Sequence, residues 1–286
     1  MTARIQSFFH EPSFTVSYLV SDPASGIAAV IDPVLDFDQK SGRTRKIFAD
    51  GILSVARASN LQIKWVLETH AHADHLSAAQ HIKSATGAKV VIGANITTVQ
   101  TVFKDVFNAV DMRTDGRQFD RLVNEGDRIE LGGLDFTVMH TPGHTPACVT
   151  YVIGDAAFIG DTLFMPDYGT ARADFPGGDA RTLYRSIRRI LALPPETHLF
   201  LCHDYKAPGR DTFIWETTVA EQRAHNRQAR DSISEDEFVS LRTERDAELE
   251  MPYLILPSIQ VNMRAGNMPP SDANGTIYLK LPVNRL

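Results

Sequence analysis

Residues 63–75 read Ile-Lys-Trp-Val-Leu-Glu-Thr-His-Ala-His-Ala-Asp-His. The first seven have the apolar, β-branched and aromatic character of a buried strand. The last six place His70, His72, Asp74 and His75 directly behind it, on a loop at the edge of a sheet. Imidazole nitrogens suit zinc, iron, copper and nickel, and a carboxylate adds charge compensation. Solvated surface histidines would not be expected to gather so densely behind an apolar strand.

Three further candidates stand at the ends of other predicted strands. His144 follows strand 134–140 within Thr141-Pro142-Gly143-His144-Thr145, where proline and glycine set a turn that aims the ring. Asp161 follows the apolar run 156–160, and a carboxylate there is costly unless paired or metal-bound. His203 follows Leu199-Phe200-Leu201-Cys202.

Around these sites the chain alternates between short strands and helices. Segments 3–9, 14–20 and 27–32 predict an antiparallel meander, with Ile31-Asp32-Pro33 ending its third strand. Ile47, Phe48, Ile52, Leu53 and Val55 form one face of a helix over about 45–59. A helix is expected at 76–86, a strand at 89–92, irregular helical structure over 94–124, and hairpins across Gly132-Gly133 and Gly154-Asp155. Helix 179–192 leads to strand 198–202. From 211 to about 250 the pattern is helical and charged, and the tail from Leu254 is expected to wrap irregularly over the core. The charged stretch 36–46 predicts a solvated loop at a subunit contact. Two sets of strands, each followed by helices, imply an α/β (α+β) fold: a four-layer αββα sandwich. It forms a single domain over 1–286 with a helical and irregular extension over about 211–286.

The 286 residues are 43% apolar and 22% charged, with a net charge of -6, which argues against a nucleic-acid or anionic-membrane binder. No apolar run is long enough for a membrane span, and the N-terminus has no signal-peptide core, so a cytoplasmic location is expected. The two cysteines, Cys148 and Cys202, exclude a disulfide scaffold; Cys148 is expected to be buried and inert, while Cys202 ends a buried strand beside His203, where a metal or redox role is the lesser alternative. Trp65 and Trp215 are expected to pack rather than bind substrate.

Thr69-His70-Ala71-His72-Ala73-Asp74-His75, Thr141-Pro142-Gly143-His144-Thr145, Gly160-Asp161 and Cys202-His203-Asp204 together resemble the metallo-β-lactamase superfamily. The resemblance implies one metal position among His70, His72 and His144, a second among Asp74, His75 and His203, and Asp161 between them. Ile31 to Leu35, Gly169 to Phe175, His203-Asp204-Tyr205 and Val261 to Gly266 are similar to the persulfide dioxygenase branch, especially bacterial β-lactamase-like hydrolase proteins of sulfide detoxification. That branch implies one ferrous iron held by His70, His144 and Asp161. The implied reaction oxidises glutathione persulfide with O₂ and water to sulfite and glutathione. His72, Asp74, His75 and His203 would then form a second metal position or support the first. Because all seven ligand positions are filled, a thioester hydrolase of the glyoxalase II kind, with one or two zinc ions, is the alternative. Glutathione carries two carboxylates, so Arg172 and Arg264 are candidate substrate contacts. Tyr205, two residues past His203, is a candidate for both substrate binding and catalysis. A homo-oligomer, dimer or tetramer, is expected.

Overall fold

The central strands of the first sheet are buried on both faces. In a computed structural model describing residues 2–285, β1 (Arg4–His10), β2 (Thr15–Ser21) and β3 (Ile27–Ile31) form the expected antiparallel meander. A hairpin of β4 (Val34–Asp38) and β5 (Arg43–Arg45) follows, then α1 (Ile47–Ala58), β6 (Gln62–Leu67), β7 (Leu76–Ser77) and α2 (Ala79–Thr86). Next come β8 (Lys89–Gly93), α3 (Ile96–Val106) and β9 (Arg121–Val123). The first sheet runs β1-β2-β3-β6-β8-β9, and the pairings from β3 onward are parallel.

The second half repeats the plan. β10 (Arg128–Leu131), β11 (Leu134–His140), β12 (Val149–Ile153) and β13 (Ala156–Phe158) precede α4 (Ala180–Ile190). β14 (His198–Phe200), β15 (Glu216–Thr218), α5 (Val219–His225), α6 (Glu235–Asp246) and α7 (Ile255–Asn262) complete the order. The second sheet runs β10 to β15 in sequence, with only β13 and β14 parallel.

Three apolar clusters separate four layers. Val16, Tyr18 and Val20 of β2 face Phe136, Tyr151 and Phe158 between the sheets. Leu19, Val30, Val66 and Val90 point the other way, onto α1, α2 and α3. Leu199, Leu201 and Ala157 face α4 and α6 through Leu183, Ile187 and Phe238. This period-two division between faces makes the αββα sandwich.

Four local expectations are corrected. Residues 36–46 are not a loop: β4 and β5 pair, and β4 also pairs with β7. The helix expected from 76 starts at Ala79, because Leu76 and Ser77 form that short strand. Residues 121–123, expected to be irregular, are the last strand of the first sheet. The tail is not irregular from Leu254, since α7 opens it and is buried along most of its length.

Candidate metal centre

Strand direction brings the site together. β6, β11, β13 and β14 all end at one edge of the sandwich, and residues 70–75, 144, 161 and 203 lie just past those ends. Two bonds close the sheets there: Val149 N–H donates to the Thr69 carbonyl (3.0 Å) and Val16 N–H to the Cys202 carbonyl (2.7 Å).

Asp161 stands between two groups of ligands. Its Oδ2 is 3.9 Å from His70 Nε2 and 3.7 Å from His144 Nε2. Its Oδ1 is 3.4 Å from His203 Nε2, which lies 3.5 Å from Asp74 Oδ2. Donor atoms of His70, His144 and Asp161 lie within 4.8 Å of one another, as do those of His72, Asp74 and His75.

Four of the histidines have one anchored nitrogen and one directed inward. His70 Nδ1–H donates to Thr69 Oγ1 (3.0 Å), His144 Nδ1–H to the Arg172 carbonyl (2.8 Å), and His203 Nδ1–H to the Phe14 carbonyl (3.1 Å). His75 Nδ1–H donates to Asp74 Oδ2 (3.1 Å). His72 differs: its Nε2 lies 3.0 Å from Asp32 Oδ1 and its Nδ1 4.0 Å from Asp74 Oδ1, and neither nitrogen has a hydrogen-bond partner, whereas the other four rings are held by theirs. Such bonds fix tautomer and ring orientation in metal sites.

The inward atoms are orphans. His70 Nε2, His72 Nδ1, His75 Nε2, His203 Nε2 and Asp161 Oδ1 are buried without a hydrogen-bond partner. A buried unpaired polar atom costs about 1–3 kcal/mol, so five in one cluster need a common partner. A divalent cation is that partner in charge and donor type. Electrostatics agree. Burial, reinforced by neighbouring histidines, pushes His70 and His72 well below the usual imidazole range and keeps them neutral as ligands must be. Burial opposes charge on Asp74, yet His203 and His75 hold its carboxyl well below the usual range. Burial also opposes charge on His203, and Asp161 and Asp74 outweigh it and raise its value.

Of the expected substrate contacts, only Tyr205 has its ring against a metal-site side chain. It stacks on His203, with centroids 5.5 Å apart and planes 11° apart, among Phe14, Phe164 and Tyr168. Arg172 reaches the site through its carbonyl, while its guanidinium donates to Asp174 (2.6 and 2.7 Å) and to the Glu250 carbonyl (2.7 Å). Arg264 is not brought to the cluster. It pairs with Asp111 (2.7 Å) beside a separate cavity of about 260 Å³. Beside His144 runs an apolar groove lined by Ala71, Phe103, Phe175, Ile255 and Ile259.

Supporting residues escaped sequence reasoning. Asp32, at φ 48°, accepts from Thr69 N–H (2.7 Å) and Thr69 Oγ1 (2.8 Å) as well as facing His72. Glu68 is buried, bonds Ser77 Oγ and lies 3.7 Å from His72. A carboxylate inside the apolar run 63–69 was the available signal for Glu68. Burial pushes the Cys148 thiol up to about 12. Burial and then the carboxylates of Asp32, Asp161 and Asp74 push Cys202 well above its usual range, so neither thiol is poised as a thiolate.

The family model for the metallo-beta-lactamase superfamily matches residues 10–203. A probable metallo-hydrolase of Burkholderia pseudomallei is 52% identical, the alignment covering 99% of both chains. A beta-lactamase hydrolase-like protein of Agrobacterium fabrum is 51% identical over 99% of this chain, which spans only 65% of that protein's length. The mitochondrial persulfide dioxygenase ETHE1 of Bos taurus is 31% identical over 93% of this chain and 91% of its own. The crystal structure of ETHE1 from Myxococcus xanthus superposes with a TM-score of 0.74 at 31% identity, covering 92% of this chain and all of that one.

Proposed function

The chain belongs to the metallo-β-lactamase superfamily, and from that premise we propose that it is an iron-dependent persulfide dioxygenase. Its substrates would be glutathione persulfide, O₂ and water, and its products sulfite and glutathione. The observation that carries this reading is the triad of His70, His144 and Asp161: two imidazoles and one carboxylate, all buried, with donor atoms within 4.8 Å of one another. Such a triad holds iron while leaving coordination positions open. Similarity to persulfide dioxygenases along nearly the whole chain supports the same reading.

Ferrous iron, one per chain, would supply the redox chemistry that couples O₂ to sulfur. The chain's own groups supply the rest. His144 keeps its aim through the Arg172 carbonyl, and His70 through Thr69 and Asp32. Tyr205 stands at the mouth, about a third exposed. Its phenol, uncharged near neutral pH, offers a proton donor to bound substrate. The bracing of Asp174 and Glu250 by Arg172 suits a supporting role better than a free cation for glutathione.

A second reading, a zinc-dependent thioester hydrolase, is favoured by one observation. His72, Asp74 and His75 offer a second donor group, and His203 Nε2 lies 3.5 Å from Asp74 Oδ2 and 3.4 Å from Asp161 Oδ1. The two readings separate in one assay. Protein reconstituted anaerobically with ferrous iron and given glutathione persulfide is expected to consume O₂ and release sulfite in equal amounts. Hydrolysis of S-lactoylglutathione without O₂ uptake by the same protein would overturn the dioxygenase reading.

A further inference from the structure

The stretch Asn262-Met263-Arg264-Ala265-Gly266 stands out in the sequence, yet its arginine does not reach the cluster. Its asparagine does the connecting. Asn262 closes α7, is only 4% exposed, and touches the metal loop at three points. Nδ2 donates to the carbonyls of His72 (2.8 Å) and His75 (2.7 Å), while Oδ1 accepts from Ser77 N–H (2.8 Å). This pattern fixes the amide's orientation. Turned over, its oxygen would face two carbonyls and its NH₂ an N–H.

These contacts matter because the loop has little else. Among the described residues, no backbone–backbone hydrogen bond reaches residues 70–75, although four candidate ligands stand there. The Asn262 amide is therefore the backbone's principal tether across the ligand-bearing segment. Asn262 is itself held. Gln100 Nε2 donates to the Met263 carbonyl (2.9 Å), Gln80 Nε2 to the Ala265 carbonyl (2.8 Å), and Arg264 pairs with Asp111. Ala265 and Gly266 turn the chain at φ 58° and 82°, and a Cβ on Gly266 would lie 3.0 Å from the Ser77 carbonyl oxygen.

We propose that Asn262 is a positioning residue for the metal centre, and that the turn at 262–266 clamps the ligand loop from behind and sets metal affinity. The proposal is independent of whether the site holds iron or zinc and of the reaction it performs.

The test compares full-length Asn262→Asp and Asn262→Ala with Gln260→Ala. Gln260 lies on the same helix but bonds only the Leu256 carbonyl and Lys280. Asn262→Asp keeps the shape and the acceptor for Ser77 while removing both donors. Chelator-stripped proteins are titrated with Co²⁺ and followed by visible absorption, with far-UV circular dichroism as the check on folding. Removal of such an outer contact is expected to weaken Co²⁺ binding about 10–100-fold and alter its spectrum in both Asn262 variants, leaving Gln260→Ala near wild type. Wild-type affinity in Asn262→Asp, or an equal loss in Gln260→Ala, would overturn the proposal. Should the Asn262 variants not fold, hydrogen exchange on the wild-type chain decides. Because coupling is reciprocal, Zn²⁺ binding is expected to slow exchange across 255–266. Exchange there that is indifferent to Zn²⁺ would contradict the clamp.

Discussion

His144 owes its aim to a backbone carbonyl, and that carbonyl belongs to Arg172. The side chain of Arg172 then holds its own backbone in place through Asp174 and the Glu250 carbonyl. Arg172→Ala is therefore expected to change the KM for glutathione persulfide by less than about threefold, well under 1.4 kcal/mol. Loss of the ion pair should lower Tm by about 2–4 °C. A KM raised tenfold at unchanged iron content would instead give the guanidinium to a glutathione carboxylate. Arg264 supports a pH prediction. Its bonds to Asp111 hold that carboxyl below its ordinary value of 3.8. A depressed folded value means stabilisation that is complete above the ordinary value and lost as pH falls through the folded one. The Tm difference between wild type and Asp111→Asn should thus be present at neutral pH and shrink below about pH 4. Asp111 is 40% exposed, so the difference will be small. A difference that stays constant down to about pH 2.5 would contradict this account.

At the scale of elements, the turn carrying His144 is fastened to the start of α4. Asp179 caps that helix by accepting from Thr182 N–H (2.7 Å), and its own N–H donates to the Gly143 carbonyl (2.8 Å). Gly143 sits at φ 138°, and a Cβ there would fall 2.3 Å from Leu183 Cα, a backbone atom that cannot step aside. Gly143→Ala should cost about 1–3 kcal/mol by overpacking and reduce bound metal, because His144 moves with the turn. Denaturant unfolding with metal analysis checks this; unchanged values in both would contradict it. The same turn was legible in sequence because proline, glycine and histidine stand together behind a strand. Strands β2 and β3 were legible because their two faces enter different cores. β4 and β5 were not, because Asp36, Asp38, Arg43 and Arg45 carry the pattern of a solvated loop. α7 was hidden because Pro257, Ser258, Gln260 and Asn262 break any apolar stripe, although the helix is buried on nearly every side. The candidate metal ligands could be proposed from local spacing. Asp32, Glu68 and Asn262 could not be given their roles, since these depend on contacts with distant segments: Asn262 lies 190 residues from His72.

Across the whole molecule, two sheets meet at one edge, and every candidate ligand lies there on a segment following a strand. No helix among the described residues is long and apolar enough to cross a membrane. The arrangement offers Asp161 two faces, one toward His70 and His144 and the other toward His203. The central claim is that iron in the first of these positions performs the reaction. Metal content and O₂ uptake measured together on protein purified without oxygen test it most directly. About one iron per chain, with uptake proportional to iron and not restored by zinc, is the predicted result. Two zinc ions per chain in active protein, with no gain on adding ferrous iron, would contradict it.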